Sequence, residues 1–201
     1  MLHSENGESS KDFSFNSFTG KKTLIVGDVG TGKTTITARL LDEAVSIGLR
    51  QSLVVLDLAP TVNISSKNIG HSLIEFSRGT WSVKYVRPTD IRAPRLEGKN
   101  SKEVLRLAEA NAIAIEPHLS TLFLQPSHTL FVNDLTIYLQ AGEPRRILKL
   151  FNQVKTVVAN AYQGESLRKD MGSGISRREE EALRIVEASV DQVILLPLKR
   201  G

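Results

Sequence analysis

Six short apolar runs punctuate the chain, and most of them are continuous rather than alternating. Lys21–Val26, Ser52–Leu56, Thr129–Val132 and Val154–Val158 read as strands buried on both faces, the pattern of a parallel sheet. Ser82–Val86 and Gln192–Leu196 complete the set of six candidate strands. Between them the spacing changes to that of helices. One helix is predicted from Lys33 to about Ile47, stopped by Gly48. A second carries Val104, Leu105, Ala108, Ala112 and Ile115 on one stripe, with Ser101 as its N-cap and an end before Pro117. Glu143–Phe151 reads as a third. A fourth runs from Arg177 to about Ser189, where Ser176 and Glu179 have capping-box spacing. Residues 61–82 are read as a short helix within Ser66–Ser77 followed by a turn at Gly79–Trp81. This alternation predicts an α/β fold, three layers deep, around a mainly parallel sheet. Residues 21–201 are expected to form a single domain. Residues 1–20 form a polar arm whose Phe13, Phe15 and Phe18 either pack on that domain or wait for an assembly.

The chemistry begins where the first strand ends. Gly27-Asp28-Val29-Gly30-Thr31-Gly32-Lys33-Thr34 lies between an apolar strand and a helix, the arrangement that turns backbone N–H groups toward a phosphate. Gly30 and Gly32 permit a backbone that a side chain would block. Lys33 is expected on the β- and γ-phosphates, and the Thr34 hydroxyl on Mg²⁺. With Thr35, these residues are the candidate nucleotide site, and Lys33 is also a candidate catalytic residue.

Two acidic residues compete to complete the site. Leu130-Phe131-Val132-Asn133-Asp134 places a carboxylate just past a buried strand, although Asn133 interrupts the simplest form of that pattern. Asp134 is read either as a Mg²⁺-sphere residue or as a structural cap. Asp57 follows a cleaner apolar strand, 24 residues after Lys33, and opens Asp57-Leu58-Ala59-Pro60. It is read as a general base or a ligand to Mg²⁺-bound water, or else as an Asx-type turn. Both are candidate catalytic and metal residues.

Taken together these motifs resemble the P-loop NTPase superfamily, and within it the signal-recognition, MinD and BioD-like class. Gly27–Thr34, continuing through Thr35-Ile36-Thr37-Ala38-Arg39-Leu40, is similar to the loop and helix of those proteins, and Asp57–Pro60 to their second acidic motif. The resemblance implies a P-loop NTPase fold and a role for Asp57 near Mg²⁺ and the attacking water. The MinD branch carries an extra lysine where this chain has Asp28, so its paired-lysine dimer mechanism is not implied. No Asn-Lys-x-Asp motif follows the fifth strand. Asn160 stands at a comparable strand end and is the candidate for a base edge, and ATP is expected ahead of GTP.

Composition narrows the setting. Cysteine is absent, which removes disulfides and thiolate metal sites. With 26 basic and 22 acidic residues interspersed, the net charge of +4 gives no strong nucleic-acid signal. No stretch approaches the roughly 18 apolar residues of a membrane span, and use of a nucleoside triphosphate points to the cytoplasm. Arg87, Arg92, Arg95, Lys99 and Lys102 dot an irregular segment, as a clamp for a phosphorylated substrate or as a solvated loop. Arg145–Arg146 and Arg177–Arg178 are weaker phosphate candidates. His71, His118 and His128 lack a ligand set around them, and Trp81 and Tyr85 are read as packing ahead of stacking. The expected function is a Mg²⁺-dependent NTPase switch or assembly factor, with a homodimer or a protein client as partner. A phosphotransferase and a non-hydrolysing nucleotide-binding protein are the alternatives.

Overall fold

The continuous apolar runs form one sheet because both of its faces are covered. In the computed structural model, which describes residues 13–198 apart from 61, 65, 66 and 70, the strands are β1 (Lys22–Gly27), β2 (Leu53–Asp57), β5 (Lys84–Val86), β6 (Thr129–Asn133), β7 (Thr156–Tyr162) and β8 (Gln192–Leu195). They pair in the order β5-β2-β6-β7-β1-β8, every pair parallel. A separate antiparallel hairpin joins β3 (Val62–Ile64) to β4 (Lys67–Ile69), where the sequence suggested a helix.

Successive side chains on a strand point to opposite faces, and the core divides accordingly. Ile25, Val55, Phe131 and Val158 pack beneath α1 (Lys33–Ser46), together with Leu40 and Leu41. Their neighbours Leu24, Val26, Val54, Leu56, Leu130 and Val132 face α3 (Ser101–Leu124), α5 (Pro144–Gln153) and α6 (Ile175–Glu187). The short helices α2 (Pro94–Glu97) and α4 (Thr136–Leu139) sit at the C-terminal end of the sheet. This is the three-layer α/β fold of P-loop NTPases. Phe15 and Phe18 belong to the α1 face: they are 1% and 2% exposed, and Phe15 stacks on Phe131 at 6.0 Å. The arm is therefore packed from Phe13 onward, while its first twelve residues lie outside the described ones.

Three helix boundaries differ from the sequence reading, each for a local reason. The N-cap of α3 is Asn100, whose side chain accepts from the Glu103 N–H at 3.0 Å. The helix also runs through Pro117. Proline removes the bond to the carbonyl four residues back, and that residue, Ile113, is exposed, so its carbonyl lies on the solvent side. The buried stripe then continues through Leu119 and Leu122. α6 starts earlier than its capping box suggests. The Asp170 carboxylate takes the Ser176 N–H at 3.1 Å, and Glu179 turns away to another partner.

Strand register lines up the ends that matter. Gly27 lies opposite Tyr162, and Asp57 opposite Asn133. The loops after β1, β6 and β7 thus open on one edge of the sheet, where ligands bind in open α/β folds.

Candidate functional site

Gly27–Thr34 leaves β1 and turns directly into α1. Gly32, the residue before the helix, has φ +91°, a conformation that a side chain would strain. The Lys33 ammonium folds back over the loop, donating to the carbonyls of Gly27 at 2.8 Å and Asp28 at 2.7 Å. Burial pulls its pKa below the ordinary lysine value, opposed by the charges of Asp134 and Asp28. The Thr34 hydroxyl has no partner among the described residues and lines the same cavity as Lys33.

Asp28, a candidate nucleotide-binding residue, braces the loop instead. Its carboxylate accepts the N–H groups of Val29 at 2.6 Å, Glu165 at 3.0 Å and Ser166 at 3.3 Å. The approach is close: a Cβ on Gly164 would stand 2.3 Å from the Asp28 carboxyl carbon. Burial alone would raise the Asp28 pKa, but hydrogen bonds from Ser166, Val29 and Glu165 hold it below the usual carboxylate value. A carboxyl with a depressed folded pKa stabilises above its unfolded value of about 3.9, and that contribution fades as pH falls through the folded value. Asp28→Asn is therefore expected to melt lower than the parent at pH 6, with the gap closing on acidification. Thermal melts of both proteins across that range check it; a constant gap would show that Asp28 braces the loop by shape rather than charge.

The two acids part company. Asp57 is fully buried and takes hydrogen bonds from five groups: the Ala59 N–H, the Ser72 hydroxyl, the Leu73 N–H, the Tyr85 phenol and the Asn133 amide. Burial, and then the Asp57 charge, push the Tyr85 pKa up, so the phenol keeps its proton and donates. Two strands separate β2 from β1. At roughly 4.8 Å per strand, Asp57 stands about 14 Å across the sheet from the phosphate loop. Asp134 follows β6, one strand nearer, and lines the cavity. Its φ is +56°, a left-handed conformation held by its own N–H donating to Asn160 Oδ1 at 2.9 Å. Such a conformation in an aspartate marks a position fixed by its surroundings. Burial raises the Asp134 pKa, countered by a hydrogen bond from Thr136 and by the charge of Lys33.

Asn160, the candidate for a base edge, lines the cavity, and its amide is engaged within the protein. Its amide N–H groups go to Thr37 Oγ1 and Asn133 Oδ1, each at 2.9 Å, and its oxygen holds Asp134. It is a tie between α1, β6 and β7. Asn133, which interrupted the acidic pattern, completes the tie by donating to Asp57 and to the His71 carbonyl.

The cavity has a volume of about 280 Å³. Val29, Gly30, Lys33 and Thr34 of the phosphate loop line it together with Asp134, Thr136 and Ala93–Leu96. Of the irregular basic segment, Arg95 alone faces it. Arg87 donates to the Ala59 carbonyl and lines a different hollow, and Arg92 pairs with Glu97 at the surface. Arg177 and Arg178 are engaged with Glu181 and the Ala141 carbonyl, and Arg146 with Glu116. Glu179 holds Arg95, and Gln140, which also lines the cavity, holds Glu179; sequence alone offered no functional reason to select either. Trp81 is exposed. No cluster of three or more His, Cys, Asp or Glu side chains able to hold a metal occurs among the described residues. The donor set would suit a Mg²⁺ ion only in the mode in which one or two protein oxygens join phosphate oxygens and water, and Thr34 and Asp134, which both line the cavity, could supply those oxygens.

The fold is the three-layer α/β arrangement of P-loop proteins. Among solved structures, the chain is similar to the flagellar accessory protein FlaH from Methanocaldococcus jannaschii, with a TM-score of 0.51 and 12% identity over 88% of this chain and 71% of that one. No protein-family model matches, and no curated protein does either. No helix among the described residues is long and apolar enough to cross a membrane.

Proposed function

We propose that the protein binds a magnesium–nucleoside triphosphate at Gly27–Thr34 and hydrolyses it, ATP ahead of GTP, as a cytoplasmic switch or assembly factor with a protein client or a second copy of itself. The observation that carries this is the convergence of Lys33, Thr34 and Asp134 on one cavity beside the glycine loop. Backbone N–H groups and Lys33 would neutralise the phosphates, and Thr34 and Asp134 would hold Mg²⁺, whose chemistry when bound would be to stabilise charge on the phosphoryl oxygens. The resemblance to the signal-recognition, MinD and BioD-like class is carried by the loop and helix. Its second acidic motif, Asp57–Pro60, serves as a structural anchor in this reading, and Asp134 takes the place near the metal.

A phosphotransferase is the second reading, favoured by the reach of the cavity beyond the loop to Arg95 and Gln140, whose Oε1 is buried without a partner. Titration with MgATP and MgGTP, followed by phosphate release with and without added hydroxyl compounds, tests both. Release without an acceptor supports the hydrolase. Nucleotide loss only with an acceptor supports the transferase, and tight binding with neither leaves a binding protein. No binding of either nucleotide overturns the assignment.

A further inference from the structure

Among the described residues Arg95 is the one arginine lining the cavity, and its position is built rather than incidental. Its side chain is 6% exposed and donates to Glu179, itself 6% exposed, at 2.9 Å. A second, longer bond reaches Ser176 Oγ at 3.3 Å, and the guanidinium lies 5.9 Å from the centre of the Tyr162 ring. Arg95 belongs to α2, lines the cavity together with the phosphate-loop residues, and its charge acts on Asp134. It also lines a neighbouring hollow of about 550 Å³, so the pair forms the partition between two open spaces.

A buried ion pair is weak evidence for stability, because desolvation offsets much of the attraction. Glu179 illustrates this: burial raises its pKa despite the opposing effects of Arg95 and Gln140. Glu179 does not depend on Arg95 alone, since Gln140 Nε2 donates to the same oxygen at 3.0 Å. If Arg95 leaves, the carboxylate keeps one partner. Arg95 lines the same cavity as Lys33 and Asp134, and its charge reaches Asp134. A planar, always-charged fork suits a phosphoryl group with several equatorial oxygens.

We propose that Arg95 is the cation that reads the terminal phosphate, exchanging Glu179 for the γ-phosphoryl group of a nucleoside triphosphate held at Gly27–Thr34. The inference rests on the nucleotide-binding reading above and adds how the site distinguishes triphosphate from diphosphate. Glu179 is the positioning residue that holds the guanidinium when no γ-phosphate is present, and Gln140 steadies Glu179 after the exchange.

The experiment compares affinities for a magnesium-bound non-hydrolysable ATP analogue and for MgADP, by calorimetric titration of the full chain. Arg95→Ala would leave Glu179 with Gln140 alone and open a void where the arginine stem packs, so the Arg95→Gln/Glu179→Gln pair replaces both charges together, and Glu179→Gln alone releases the arginine. The double variant is expected to lose about 30-fold in affinity for the triphosphate, in line with loss of a charge-assisted contact, and to bind MgADP within about 2-fold of the parent. Glu179→Gln is expected to bind the triphosphate several-fold tighter with MgADP unchanged. Equal changes for both nucleotides, or none, would overturn the role of Arg95 while leaving the nucleotide site intact. A parent protein that binds neither nucleotide would instead remove the reading on which the inference stands.

Discussion

Lys33→Ala will lower affinity for a magnesium–nucleoside triphosphate by about 100-fold, close to 3 kcal/mol, with little change in folding stability. The ammonium is the lysine of the cavity, and its two hydrogen bonds are to loop carbonyls rather than to any distant element. Removing it costs the phosphate its point charge but breaks no tertiary tie. The stability side follows from the electrostatics, because burial already disfavours the charged lysine and its truncation relieves that cost. Calorimetric titration with MgATP and a urea melt of the same variant check both halves. Unchanged affinity would remove the phosphate role from Lys33; a large fall in stability would make the residue a structural strut.

How much of this could be read in advance depends on the distance, along the chain, between the groups that act together. The phosphate loop is contiguous, and its glycines and lysine announce their conformation and charge locally. The four inner strands were equally legible, because a run buried on both faces has few polar positions to disguise it, while the partly exposed edge strands β5 and β8 showed only as shorter apolar runs. The order of the strands was not. That β7 lies between β1 and β6 is decided by packing, and it leaves Asp134 nearer the loop than Asp57. Asp57 looked the better acid because the strand before it is cleaner. Its donors Ser72, Tyr85 and Asn133 come from 15, 28 and 76 residues away and leave no mark around position 57. Glu179 was taken for half of a capping box, a local meaning, while its real partner Arg95 is 84 residues away. The left-handed backbone at Asp134 was likewise invisible, because aspartate adopts it only when neighbours such as Asn160 hold it there.

The same contrast yields the second large effect, a separation of the two acids by one isosteric change each. Asp57→Asn will destabilise the fold by about 4 kcal/mol, on the order of two lost charge-assisted hydrogen bonds. The new amide N–H groups would face donors with nothing to accept them. The five groups that converge on Asp57 also join β2 to the segments around Ser72, Tyr85 and Asn133, so the loss spreads beyond one strand end. Asp134→Asn behaves oppositely. Burial already raises the pKa of this carboxyl, so neutralising it relieves a cost, and stability will hold or rise slightly. What it loses is the negative charge beside Thr34, and with it the dependence of nucleotide binding on Mg²⁺. Urea unfolding of both variants, together with nucleotide titrations with and without Mg²⁺, reads the two effects separately. An Asp57→Asn protein of parental stability that lost its Mg²⁺ dependence would reverse the assignment. It would mean that the acid at the end of β2, not the one after β6, is the one the metal uses.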